Sequence, residues 1–174
     1  MKNFFLLFFL LFSQVCFSQT HENQYPFVDL IAIEQDTAAT LMNIDKLKDQ
    51  IKSKIQEYQK IEKFKDNTGS RYLFVKDNQL QMVTVSFKEN NIDKNVEWYF
   101  SDGQLIYSEQ VWKESDKKIN QEKFYLNNNH LIGWLKDGKK VSKRSSEFQT
   151  TEGDLVAYGV KLKNELKNIS FEKK

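Results

Sequence analysis

Trp98-Tyr-Phe-Ser-Asp-Gly-Gln-Leu105 decides the fold: an aromatic run, a two-residue polar turn, then a second run that stays apolar through Ile106 and Tyr107. Asp-Gly suits a two-residue hairpin turn, which needs positive φ at both central residues, so this stretch predicts one β-hairpin. The same layout recurs on either side, as Leu73-Phe-Val-Lys-Asp-Asn-Gln-Leu80 and Phe124-Tyr-Leu-Asn-Asn-Asn-His-Leu131. Short polar stretches at 89–93 and 114–117 join the copies. Together they predict an antiparallel meander with strands near 71–76, 80–88, 94–101, 104–113, 119–127 and 130–136. Asp137-Gly138 offers one more turn, into a short seventh strand at 139–143. The repeat specifies an architecture and carries no chemistry.

Helical spacing flanks the meander. Leu41, Ile44, Leu47, Ile51, Ile55, Tyr58 and Ile61 recur at three- and four-residue steps after a capping Asp36 or Thr37, predicting an amphipathic helix over 37–64. Residues 19–36 read as an arm, with 27–33 as a short edge strand. Phe148, Leu155, Gly159, Leu162, Leu166 and Ile169 fall on one stripe of a C-terminal helix, with a break expected near Gly153. The fold class is therefore α+β: a long N-terminal helix, a six- to seven-stranded antiparallel meander sheet, and a C-terminal helix packed on the sheet. Residues 37–174 read as a single domain.

Straight alternation from each turn assigns two faces. One carries Leu73, Val75, Leu80, Met82, Trp98, Phe100, Leu105, Tyr107, Phe124, Leu126, Leu131 and Leu135, and is expected under the helices. The other carries Tyr72, Phe74, Val83, Val85, Phe87, Tyr99, Ile106, Tyr125, Ile132 and Trp134. A solvated face should alternate with polar residues, and this one does not. Either a second helix covers it, making its residues core, or it is an accessible platform. On the second reading, Tyr72, Phe74, Tyr99, Ile106, Tyr125, Ile132 and Trp134 are the ligand or partner surface, since Tyr and Trp combine large contact area with a polar handle.

The first 18 residues predict export. Lys2 gives a positive start, 4–12 is an unbroken apolar run, and Cys16 and Ser18 place small residues at −3 and −1 of a cut before Gln19. The run is shorter than the roughly 20 apolar residues a membrane span takes. Lipidation of Cys16 is the alternative, but Ser13-Gln14-Val15 lacks the flanking pattern it needs. Cys16 is the only cysteine, so the processed chain would have no disulfide, thiolate or cysteine-held metal. About 156 residues would remain, a size that buries about 70% of its unfolded surface. The 26 basic residues fall to 25 without Lys2, against 24 acidic ones, and their scatter gives no field for nucleic acid.

Catalytic constellations are sparse. His21 and His130 are the two histidines, and no Gly-x-Ser-x-Gly, P-loop, dinucleotide fingerprint or His-Glu-x-x-His is present. His130 reads as a turn residue. Glu97 and Glu109 lie on adjacent strands, and paired carboxylates can hydrolyse glycosides, but straight pairing sets Glu109 opposite Val96 with Glu97 on the other face. Asn91-x-Asp93-x-Asn95 with Asp102 has calcium-loop offsets, yet Val96 stands where that loop needs glycine. Asn168-Ile-Ser170 matches a glycosylation acceptor, a triplet expected by chance in an Asn-rich chain. No cofactor or catalytic residue is expected.

The hairpins Trp98–Ile106 and Phe124–Ile132 resemble those of small exported bacterial helix-plus-β-meander proteins of unassigned function. That resemblance covers about 37–170 and implies the same fold. A second likeness is to periplasmic lipoprotein carriers, whose curved sheet shelters acyl chains behind helices and has more strands. The expected function is an exported, non-catalytic binding or inhibitor-type module using an aromatic sheet face. The alternatives are a periplasmic carrier of an apolar or lipid-like ligand and, last, a hydrolase. Partners are expected in the cell envelope, periplasmic or extracellular: a protein or an apolar ligand, with no nucleic acid and no transmembrane segment.

Overall fold

The computed structural model describes residues 27–89, 92–114 and 118–167. The expected signal segment 1–18, the Ser18-Gln19 junction, His21, Asn91 and Asn168-Ile-Ser170 lie outside the described residues. Thr37–Lys174 forms one compact unit, within which all contacts below fall.

Helix α1 (Phe27–Ser53) passes through one turn of 3₁₀ helix (Ile55–Glu57) into eight strands. These are β1 (Gln59–Lys65), β2 (Gly69–Lys76), β3 (Gln79–Glu89), β4 (Ile92–Ser101), β5 (Gln104–Lys113), β6 (Ile119–Asn127), β7 (His130–Lys136) and β8 (Lys139–Lys140); α2 (Ser146–Lys167) follows. The strands form a single antiparallel sheet in chain order. The α+β meander expected from the sequence is present, with one strand more than the upper expectation. Both central residues have positive φ in each of the turns Asp77-Asn78, Asp102-Gly103, Asn128-Asn129 and Asp137-Gly138. Such turns match the right-handed twist of the strands they join.

A bulge repeats with the hairpin. Phe100 pairs with Leu105, but the next pair is Tyr99 with Tyr107, leaving Ile106 as the extra residue. Leu126 pairs with Leu131 and Tyr125 with Gly133, leaving Ile132. Val75 pairs with Leu80 and Phe74 with Met82, leaving Gln81. In all three the extra residue lies at the same offset from the turn. A bulge adds a residue to one strand without adding to its partner, so every later side chain on that strand changes face. Met82, Tyr107 and Leu135 therefore lie on the opposite face from the one straight alternation assigns, as do Val83, Val85 and Trp134.

Each face has its own helix. Leu73, Val75, Leu80, Val83, Val96, Trp98, Phe100, Leu105, Phe124, Leu126, Leu131 and Trp134 pack with Phe148, Leu162 and Leu166 of α2. Phe74, Met82, Tyr99, Tyr107 and Tyr125 pack with Ile44 and Ile51 of α1 and with Tyr58. The expectation that both helices sit on the richer face is corrected: an amphipathic helix buries its one stripe against whichever apolar face is left.

The boundaries of α1 also differ from expectation. Residues 27–33 are helical rather than an edge strand, and the helix ends at Ser53, not near residue 64. Ser53 Oγ donates back to the Gln50 carbonyl at 2.9 Å, and Tyr58 is already extended. Tyr58 and Ile61 continue a helical spacing by coincidence, for Tyr58 joins the α1-side core and Ile61 packs on the α2 side. Helix α2 starts with Ser145 Oγ accepting the Phe148 N–H at 3.2 Å, a regular N-cap. It runs unbroken through Gly153. At Gly159 a side-chain carbon would sit 3.1 Å from Leu105 Cβ, so glycine lets α2 approach β5 closely.

Candidate functional site

The seven residues expected as a binding surface are packed rather than presented. Tyr99 is 0% exposed, Tyr125 6%, Phe74 9% and Trp134 4%; Tyr72, Ile106 and Ile132 are half-buried. Six of them lie in the core under α1, and the bulge at Ile132 carries Trp134 to the α2 side, against Phe124 and Phe148. Of the two readings of that aromatic face, its geometry matches the covered one.

Three tyrosines organise the α1 side. Their rings meet edge to face, Tyr99 on Tyr107 at 5.7 Å and Tyr107 on Tyr125 at 5.1 Å, contacts worth about 0.5–1.5 kcal/mol each beyond their buried area. Each hydroxyl donates to a carboxylate: Tyr99 to Glu97 at 2.5 Å, Tyr107 to Glu109 at 3.1 Å, Tyr125 to Asp45 at 3.4 Å. Burial, reinforced by these carboxylates, raises all three phenols, with Tyr125 pushed up to about 12. Lys48 of α1 stands 5.1 Å from the Tyr107 ring, and Lys52 reaches Glu97 at 3.3 Å.

Glu97 and Glu109 are direct cross-strand partners on one face, against the straight-pairing expectation that kept them apart. The bulge at Ile106 moves β5 by one residue and brings them together. Cross-strand Cβ atoms lie about 4.5–5.5 Å apart. Both carboxylates are already engaged: Glu97 by Tyr99 and Lys52, Glu109 by Tyr107 and by Gln121 Nε2 at 2.5 Å. Glu97 thereby links the sheet to α1, while Glu109 is held within the sheet.

The opposite face is left open beside its helix. Between α2 and strands β4–β6 lies a cleft of about 320 Å³, within the usual range for small-ligand sites. Val96, Trp98, Phe124, Leu155 and Tyr158 make its apolar walls, and Ser108, Gln110, Thr151 and Asp154 bring polar atoms to it. Trp98 and Tyr158 are 4.9 Å apart, so one wall is a continuous aromatic surface. The bulges place Ser108 and Gln110 on this face beside Val96 and Trp98. Gln110 Nε2 is held by the buried Glu122 at 2.5 Å, and Lys136 lies 3.5 Å from that carboxylate. A larger depression along α1, near Met42, Asp45 and Asp49, has walls from that single helix and encloses nothing.

Sequence reasoning missed this cleft. Leu155 was legible on the α2 stripe, but Ser108 and Gln110 became visible only once the bulge set their face. His130 opens β7, exposed, with Nδ1 3.0 Å from Glu152. Among the described residues no cluster of three or more His, Cys, Asp or Glu could hold a metal, and no helix is long and apolar enough to cross a membrane. Asp93 is exposed and pairs with Lys88 at 3.2 Å. No protein-family model, curated protein or solved structure matches the chain.

Proposed function

We propose that this protein is an exported, non-catalytic binding module whose ligand seat is the cleft between α2 and β4–β6. The observation that carries the reading is the pairing of the Trp98–Tyr158 wall with convergent Ser108, Gln110, Thr151 and Asp154 in one concavity. The proposed surface thus moves to the face opposite the tyrosines. Export rests on the 1–18 segment, and N-terminal sequencing of the exported protein should start at Gln19. A lipid-modified Cys16 at that terminus would overturn it.

The size of the cleft, near the lower end for ligand pockets, favours a short ligand or one side chain of a partner over a long acyl chain. This ranks the carrier reading second. Hydrolysis by Glu97 and Glu109 is ranked last because both carboxylates are already engaged, Glu97 by Tyr99 and by Lys52 of α1, Glu109 by Tyr107 and Gln121. Trp98 gives a direct readout. Small aromatic and aliphatic compounds that change its fluorescence in wild type should do nothing in Leu155→Glu, which sets a charge into the wall. Equal responses in the two proteins would remove the cleft as the seat.

A further inference from the structure

The strand rows next to the cleft give it a polarity. Along β4, Trp98 and Val96 line the cleft, and Lys94 is the next residue on that face. Successive same-face residues are about 7 Å apart. Lys94 pairs across with Trp112, and its ammonium lies 5.4 Å from that ring. It is half-buried, and no carboxylate of the described residues lies within ion-pair distance of it. The nearby acid, Glu122, is already answered by Gln110 and by Lys136, which also contacts Glu147. At the other rim, on α2, stands Asp154. An apolar seat thus runs from a carboxylate at one end to an amine at the other that, among the described residues, has no carboxylate in ion-pair contact.

We infer that the cleft takes a small amphipathic carboxylate, its short apolar or aromatic body against Trp98, Phe124, Leu155 and Tyr158 and its anionic head toward Lys94. The inference rests on the reading of the cleft as a ligand seat. The Trp112 ring steadies the Lys94 ammonium beside the cleft, and Asp154 repels the head group from the α2 rim, so the ligand has one orientation. A cation would find both candidate acids poorly placed: Glu122 is paired and buried, and Asp154 is exposed to water, where a single ion pair is weak.

Three probes with one body test this: 4-phenylbutyrate, 4-phenylbutanamide and 4-phenylbutylamine, titrated calorimetrically into the purified protein and followed by tryptophan fluorescence. The carboxylate should bind about tenfold tighter than the amide, as expected for one charge-assisted contact, and the amine weakest. Lys94→Met keeps an unbranched side chain beside Trp112 and removes the charge. It should bring the carboxylate down to the amide and leave amide binding unchanged. Leu155→Glu should abolish binding of all three. If the amide matches the carboxylate, the amine wins, or Lys94→Met keeps the preference, the head-group inference is overturned while the seat stands. If none of the probes binds, or binding survives Leu155→Glu, the seat itself is wrong and the inference falls with it. Matching circular dichroism spectra and melts for the variants separate these outcomes from misfolding.

Discussion

The α1 face and the α2 face of this sheet are both aromatic, yet they are closed in different ways. On the α1 side, Tyr99, Tyr107 and Tyr125 stack edge to face and send their hydroxyls to the carboxylates Glu97, Glu109 and Asp45. The helix seals that row, with Ile44 and Ile51 buried against it. On the α2 side, Phe148, Gly159, Leu162 and Leu166 are buried, but between them Leu155 and Tyr158 stay half-buried and a cleft remains. Aromatic content is therefore a poor guide to accessibility. A tyrosine can place its polar end on an acid inside the fold, and what leaves space is the fit between helix and sheet.

The largest effect expected from this contrast comes from emptying the sealed side. Tyr99→Thr with Tyr125→Thr should lose several kcal/mol in denaturant melts, since truncating one core aromatic costs about 3–5 kcal/mol. That approaches the whole stability of a typical domain, about 5–15 kcal/mol. A loss below about 1 kcal/mol would mean that α1 leaves this face in solution.

High pH attacks the same row through protons. In the unfolded chain the three phenols ionise near pH 10, whereas in the folded chain Tyr125 keeps its proton to about 12 and burial holds Tyr99 and Tyr107 above their ordinary value too. Above pH 10 the unfolded state binds fewer protons, so stability is full below pH 10 and falls as pH climbs toward the folded values. The slope is about 1.4 kcal/mol per pH unit for each tyrosine. The part of the 295 nm absorbance change that comes from the buried row should coincide with the loss of circular dichroism in one cooperative step. Reversible ionisation of every tyrosine near pH 10, with the fold intact, would show the row to be open.

A smaller effect tests the turns that both faces share. Gly103 has φ +70°, and a side chain there would meet only the flexible end of Lys163, so the cost of Gly103→Val is backbone strain. About 1–3 kcal/mol should be lost, read as a lower Tm. An unchanged Tm would refute the hairpin register and, with it, the assignment of residues to faces.

Much of this fold was legible because the repeat states its turns. Asp77-Asn78, Asp102-Gly103 and Asn128-Asn129 located six strands to within a few residues. β1 was hidden because Ile55, Tyr58 and Ile61 continue the spacing of α1, although the chain turns between them and delivers Tyr58 and Ile61 to opposite faces. The bulges were hidden because nothing in Leu105-Ile106-Tyr107 marks the residue to be skipped. A one-residue slip inverts every later side chain. That slip separated Glu97 from Glu109 and put Trp134 on the tyrosine side. It also concealed Ser108 and Gln110, half of the polar groups of the cleft.

Thiol labelling at one position on each face tests the contrast most directly. With Cys16 replaced by serine, the chain has no other cysteine, so Met82→Cys reports the row under α1 and Gln110→Cys reports the cleft. A bulky uncharged maleimide should modify Gln110→Cys within about tenfold of the unfolded rate. Met82→Cys should be protected about a thousandfold or more, opening only with the fold. Equal labelling at the two positions, or faster labelling at Met82→Cys, would contradict a sheet sealed on its tyrosine face and open beside α2.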